Sequence, residues 1–196
     1  MAVRFEVNCS ILFTELPLLD RPQAAKDAGF DAVEFWWPWS VAVPTDAEIA
    51  QFVTAINDAG VSLVGLNFFA GDMPGGDRGL VSWPARSAEF RDNIDVTLGV
   101  GEQLGCRAFN ALYGNRVAGA DPRDQDDLAV QNLARAAALL DGTVVLEPLS
   151  GADRYPLRRG SNDPSPRCLP AASKPRVARQ DAPNINVDHA TSRWIS

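Results

Sequence analysis

Three short segments of this 196-residue chain repeat one design: Asp27-Ala28-Gly29-Phe30, Asp58-Ala59-Gly60-Val61 and Gln103-Leu104-Gly105-Cys106 each set a glycine between an apolar helical stretch and a β-prone run. Glycine accepts the left-handed conformation that closes a helix, so each segment reads as a joint between a helix and a following strand. The runs between the joints extend the alternation. They are strand Val3–Val7, helix Leu16–Ala28, strand Ala32–Trp37, helix to Ala59, strand Val61–Phe69, helix Pro84–Leu104, strand Cys106–Leu112, helix Asp126–Leu140, Gly142 and strand Thr143–Leu149. Thr45 and Glu48 have the spacing of a capping box at the start of the second helix. Strict alternation implies parallel strands joined by right-handed crossovers, an α/β architecture with helices covering the outer face.

Charge and cysteine content narrow the function classes. The net charge of −7 argues against a polyanionic partner, because nucleic-acid binding depends on clustered Lys and Arg, so no nucleic acid is expected. Cys9, Cys106 and Cys168 are widely spaced and form no Cys-x-x-Cys pair, which suits reduced thiols in the cytoplasm. No run of apolar residues reaches membrane-spanning length, so no membrane partner is expected either.

The character of the chain changes near Arg158. Residues 158–196 carry a net charge of +4, against −11 for residues 1–157, and hold five of the fourteen prolines with no helical or strand period between them. Residues 1–157 are therefore expected to form the folded unit, and residues 158–196 a disordered or out-of-frame tail. The only histidine, His189, sits in this tail beside Asp188, a pair too small to signal a metal site.

Polar residues interrupt the apolar strands at comparable places. Glu34, Asn110 and Glu147 each lie five residues after a glycine, Asn67 lies seven after Gly60, and Asn8 ends the first strand. Ligands of parallel α/β folds bind at the carboxyl ends of the strands, so these five residues are expected to share one rim. Each Asn serves equally well as a strand cap. A carboxylate after Val144-Val145-Leu146 is expensive to bury without a purpose, which makes Glu147 the leading catalytic candidate. Trp36, Trp37 and Trp39 beside Glu34 either line a pocket or fill the core. The loop Ala70–Gly79 is not a P-loop, since no Gly-Lys-Ser/Thr follows, and its glycines suit tight turns or a mobile flap. Arg78 in that loop is placed either to hold a substrate carboxylate or to pair with Asp72 or Asp77.

Several segments together carry a family resemblance: Asn8-Cys9-Ser10-Ile11-Leu12-Phe13, Gly29-Phe30-Asp31-Ala32-Val33-Glu34-Phe35, Asn67-Phe68-Phe69-Ala70-Gly71-Asp72, Arg78-Gly79, Glu89-Phe90-Arg91 and Leu146-Glu147-Pro148. In this order they resemble the hydroxypyruvate isomerase branch of the xylose isomerase-like TIM barrels, over residues 3 to about 158. The resemblance implies a (β/α) barrel of TIM type, here incomplete, with about five parallel βα units before an irregular tail. It implies interconversion of hydroxypyruvate and 2-hydroxy-3-oxopropanoate through a metal-stabilised enediol, in glyoxylate metabolism, with a small hydroxy-oxo acid as substrate. Glu147 would be both a ligand of Mg²⁺ or Mn²⁺ and one of two acid/base glutamates, and Asn8, Glu34, Asn67, Arg78 and Asn110 would bind substrate. No glutamate follows Glu147, so the second acid/base glutamate is missing and impaired activity is expected. A shifted reading frame would produce a tail of this composition. A 2-oxo-tetronate isomerase, a sugar epimerase, and a non-catalytic fragment that binds a sugar acid or a partner are the alternatives.

Overall fold

The computed structural model describes residues 5–149, 154–157 and the backbone of 177–179. Its strands are β1 (Val7–Asn8), β2 (Ala32–Phe35), β3 (Ser62–Asn67), β4 (Ala108–Leu112), β5 (Thr143–Glu147) and β6 (Val177–Arg179). Between them lie α1 (Arg21–Asp27), α2 (Asp46–Ala59), α3 (Ser87–Leu104) and α4 (Pro122–Leu139). The strands form one sheet in chain order, every pair parallel, as the alternation requires. Among the described residues the ladder does not close on itself, and β1 and β6 are its edges.

Element limits differ from the sequence pattern for local reasons. α4 begins four residues earlier than its apolar period, because Asp121 caps it by accepting from the Arg123 N–H at 2.8 Å and Pro122 presets the first turn. Short 3₁₀ turns at Leu18–Asp20 and Pro84–Arg86 lead into α1 and α3. β1 is only two residues long, and residues 1–4 of the expected first strand lie outside the described residues. Thr45 and Glu48 make both bonds of the capping box, at 3.3 Å and 2.8 Å. Gly60 and Gly105 end α2 and α3 at φ 64° and 68°. Gly142 works differently: a Cβ there would meet the Arg107 carbonyl oxygen at 2.4 Å, so the glycine permits a close backbone approach between the starts of β4 and β5.

β6 lies within residues 158–196, where the sequence carries no strand period. Backbone groups on the free edge of β5 pair with any short extended segment, and three residues are too few to leave a periodic signature. The remaining residues of that segment, where disorder and the altered frame were expected, lie outside the described residues.

Side chains alternate across the strands. Val33, Phe35, Leu66, Phe109, Ala111, Val144 and Leu146 are buried on one face. There the Phe35 ring meets Phe52 of α2 edge-on at 5.1 Å, and Phe68 meets Phe90 of α3 at 5.4 Å. The opposite, inner face is not the apolar surface expected of a sheet covered on both sides. Glu6, Glu34, Gly65, Asn67, Ala108, Asn110, Val145 and Glu147 line a concavity there. A register shift between Val33 and Glu34, where β3 carries one extra residue, sets Gly65 opposite Glu34.

Candidate active site

The concavity holds about 230 Å³ and spans β2 to β5. Two Asn–Glu pairs mark it. On one side the Asn8 Nδ2 donates to Glu34 Oε1 at 2.8 Å, and on the other the Asn110 Nδ2 donates to Glu147 Oε2 at 2.6 Å. Asn67 stands between them, in register with Asn110 on the neighbouring strand. Gly65 makes room for Glu34, since a Cβ at this position would lie 3.3 Å from Glu34 Oε2. Asn67 and Asn110 are in register on adjacent parallel strands, and Asn110 reaches Glu147 across the next ladder.

Burial pushes the Glu147 carboxyl above the usual carboxylate range, and the hydrogen bond from Asn110 pulls it partway back. A carboxyl tuned in this direction exchanges protons nearer to neutral pH. Its backbone is fixed as well. The Tyr155 hydroxyl donates to the Glu147 carbonyl at 2.7 Å and accepts from the Tyr113 N–H at 2.8 Å, bridging the carboxyl ends of β4 and β5. Asn110 Oδ1 is buried and has no hydrogen-bond partner among the described residues.

The structure therefore gathers Glu34, Asn67, Asn110 and Glu147 around one cavity, with Asn8 holding Glu34 from behind. Arg78 is not brought there. Its Nη1 donates to the carbonyls of Met73 and Asp77 at 2.9 Å and 2.6 Å, and the Asp77 carboxylate pairs with Arg86 at 2.7 Å, not with Arg78. The loop is short and self-tied, which satisfies the guanidinium locally. Its glycines serve turns and close approaches: Gly79, at φ 107°, lies where a Cβ would be 2.0 Å from the Leu112 carbonyl oxygen. The loop is cross-linked by Gly79 N–H to Ala70 O at 2.9 Å and Asn115 Nδ2 to Gly76 O at 2.9 Å, an anchored turn in place of a free flap. Trp37 and Trp39 belong to the core side, ring to ring at 4.9 Å, with Trp39 on Phe52 at 5.3 Å.

Three fully buried helix amides support the loops above the cavity, and sequence reading passed over them. Asn93 accepts from the Phe69 N–H and donates to Ala42 O, Gln125 donates to Ser82 O, and Asn132 donates to Val81 O. Their signal is an amide at a helix position that the apolar stripe would otherwise fill. Glu6, two residues before Asn8 on the same face, was passed over too.

As for a metal, no three His, Cys, Asp or Glu side chains converge as ligands among the described residues. Hard divalent cations take six or more oxygens, so Glu147 with an Asn110 oxygen nearby does not by itself fit Mg²⁺ or Mn²⁺. No helix among the described residues is long and apolar enough to cross a membrane.

Known proteins share this framework. Residues 22–169 match the model of the family described as xylose isomerase-like TIM barrel. A Streptomyces coelicolor protein provisionally named hydroxypyruvate isomerase is 55% identical over 161 residues, covering 79% of this chain and 58% of that protein. The 2-oxo-tetronate isomerase of Cupriavidus necator is 33% identical over 153 residues, covering 76% of this chain and 56% of the relative. Among solved structures, a Brucella melitensis protein titled AP endonuclease, family 2, superimposes with a TM-score of 0.65 at 32% identity, covering 76% of this chain and 56% of that one. The chain thus spans a little over half the length of these relatives.

Proposed function

The chain belongs to the xylose isomerase-like TIM barrel family, and on that premise we propose that its cavity serves hydroxypyruvate isomerisation, with Glu147 moving the proton. The observation that carries this is the Glu147 carboxyl, held by Asn110 at 2.6 Å on the wall of a polar cavity and raised by burial. In the reaction, the base takes a proton from C3 of hydroxypyruvate and the C–H electron pair forms the C2=C3 bond of an enediolate, with charge on O2. Returning the proton to C2, with the O3 proton passing to O2 as C3=O forms, gives 2-hydroxy-3-oxopropanoate. Glu147 performs the first transfer, and the asparagines orient the substrate.

The second transfer calls for a partner acid, for which the resemblance implies a second glutamate on a later strand. Among the described residues no three His, Cys, Asp or Glu side chains converge to hold the Mg²⁺ or Mn²⁺ of the resemblance, and no step is routed through it. Higher identity to the hydroxypyruvate-type relative, 55% against 33%, favours the three-carbon substrate over a 2-oxo-tetronate. Buried Cys9, its thiol pushed up to about 11 chiefly by burial, suits a reducing cytoplasm. The carboxyl-lined cavity disfavours a nucleic-acid backbone as ligand.

The test is a half-reaction. Hydroxypyruvate is incubated with the purified chain in D₂O and exchange at C3 is followed by NMR. We expect exchange above the buffer rate, lost in Glu147→Gln. Equal exchange in both proteins would overturn the assignment of Glu147.

A further inference from the structure

The β4–β5 ladder closes on a side chain where it meets the cavity. Its last register pair is Leu112 with Glu147. In a parallel ladder the next rung would run from the Tyr113 N–H to the Glu147 carbonyl. Here the Tyr155 hydroxyl stands between those two groups, accepting from the Tyr113 N–H at 2.8 Å and donating to the Glu147 carbonyl at 2.7 Å. The strands therefore part by the width of one oxygen at the residue that carries the candidate base, and both backbone groups stay satisfied.

That oxygen is anchored from several directions. Tyr155 is 1% exposed, and burial pushes its hydroxyl far above the ordinary tyrosine range, so it remains a neutral donor around neutral pH. Its chain neighbours are tied down by Leu149 N–H donating to Leu157 O at 3.0 Å and Arg116 N–H donating to Arg154 O at 2.7 Å. Tyr113 is fixed from α4, where Asp126 accepts from the Tyr113 hydroxyl and pairs with Arg116 at 2.9 Å, and the Arg116 guanidinium lies 5.4 Å from the centre of the Tyr113 ring. The Glu147 carbonyl is thus tied to α4 through a single side-chain oxygen. The carboxyl of the same residue meets Asn110 at 2.6 Å, a contact that a small rotation of the strand end would break.

We propose that Tyr155 is a positioning residue for Glu147: by bridging the parted ends of β4 and β5, its hydroxyl holds the Glu147 backbone in the orientation that presents the carboxyl to Asn110 and to the cavity together. The hydroxyl proton is committed to the Glu147 carbonyl, so Tyr155 acts through the main chain and takes no part in the proton transfer. The inference deepens the proposed isomerase reading and rests on it for the reaction that Glu147 serves.

Tyr155→Phe deletes the bridging oxygen and keeps the ring. The experiment measures C3 exchange in D₂O against hydroxypyruvate concentration, and the Asn110 side-chain amide NMR signals of the ¹⁵N-labelled full chain. Exchange at saturating hydroxypyruvate should fall about ten- to a hundredfold with the half-saturating concentration unchanged, because a misaimed base loses rate and not binding. The Asn110 amide proton bonded to Glu147 should move toward the position of a free amide. Ile56→Ala is the control: Ile56 is buried on α2 outside the cavity lining, so this variant loses stability and keeps both readouts when compared at a temperature where each variant is folded. An unmoved Asn110 amide in Tyr155→Phe, or equal effects in Ile56→Ala, would overturn the proposal. Should Tyr155→Phe fail to fold, the parent chain decides, since the bridge requires the Tyr113 N–H to exchange with D₂O as slowly as the N–H groups of β4, and rapid exchange there removes it. The two readings fail separately. Exchange lost in Glu147→Gln but untouched in Tyr155→Phe removes the positioning role and keeps the isomerase, whereas a displaced Asn110 amide in Tyr155→Phe, with exchange indifferent to Glu147→Gln, keeps the hold on the carboxyl and removes the isomerase.

Discussion

Asn110 holds Glu147 diagonally across the β4–β5 ladder: it pairs in register with Val145, yet its Nδ2 reaches Glu147 Oε2 at 2.6 Å, one inner-face position further along the strand. The bond favours the charged carboxylate, while burial favours the neutral acid. The balance between them sets where the base becomes available.

Replacing Asn110 with Leu removes the one hydrogen bond that lowers the Glu147 carboxyl and leaves burial unopposed. The rising limb of C3 exchange against pH should then move to higher pH. Measuring exchange across the acid to neutral range in both proteins checks this, and an unmoved or acid-shifted limb would contradict it.

The same carboxyl links stability to pH. Its value is raised in the folded chain, so its contribution is fully present below the unfolded value and is lost as pH rises through the folded one. Glu147→Gln should therefore gain urea resistance relative to the parent at pH values above the folded value and lose that advantage in acid. Parallel urea melts at both ends of the range decide it, and a pH-independent difference would count against a raised carboxyl.

Gly79 and Gly76 share positive φ values of 107° and 104°, but only Gly79 has a neighbour, the Leu112 carbonyl oxygen 2.0 Å from a built Cβ. Gly76→Ala should cost about 1 kcal/mol from backbone strain alone. Gly79→Ala should cost at least about 2 to 3 kcal/mol, because β4 itself must shift. Similar costs for the two variants would show that the close approach is easily relieved.

Asn93 ties the loop after β2, at Ala42, to the end of β3, at Phe69, with bonds of 2.8 Å and 2.9 Å. Asn93→Leu leaves one carbonyl and one N–H buried and unmatched, at roughly 1 to 3 kcal/mol each. Chemical denaturation should report a loss in that range or above. Amide hydrogen exchange at Phe69 should rise beyond what the global loss explains, and an unchanged Phe69 would place the anchor elsewhere.

Much of this arrangement was readable from residue order. Helix-closing glycines at 60 and 105 announced the αβ joints, and polar residues seven and five positions beyond them announced the rim. Those signals are local, set by backbone conformation and strand period. The use of each polar group was not readable, because it depends on partners far along the chain. Arg78 turned to its own loop carbonyls, and Arg86, nine residues from Asp77, took the carboxylate expected for it. The bulge between β2 and β3, which sets Gly65 against Glu34, likewise arises from how two strands meet. β6, which pairs with β5 through backbone alone, leaves no side-chain period to read.

Tyr155 carries a practical consequence. Its hydroxyl joins the Glu147 carbonyl to the Tyr113 N–H, and nearby Leu149 N–H donates to Leu157 O at 3.0 Å and Arg116 N–H to Arg154 O at 2.7 Å. The aim of the Glu147 carboxylate thus depends on residues that follow it in translation. A nascent chain released from the ribosome exit only as far as Leu149 would hold every side chain of the cavity and still lack the strut that steadies its base.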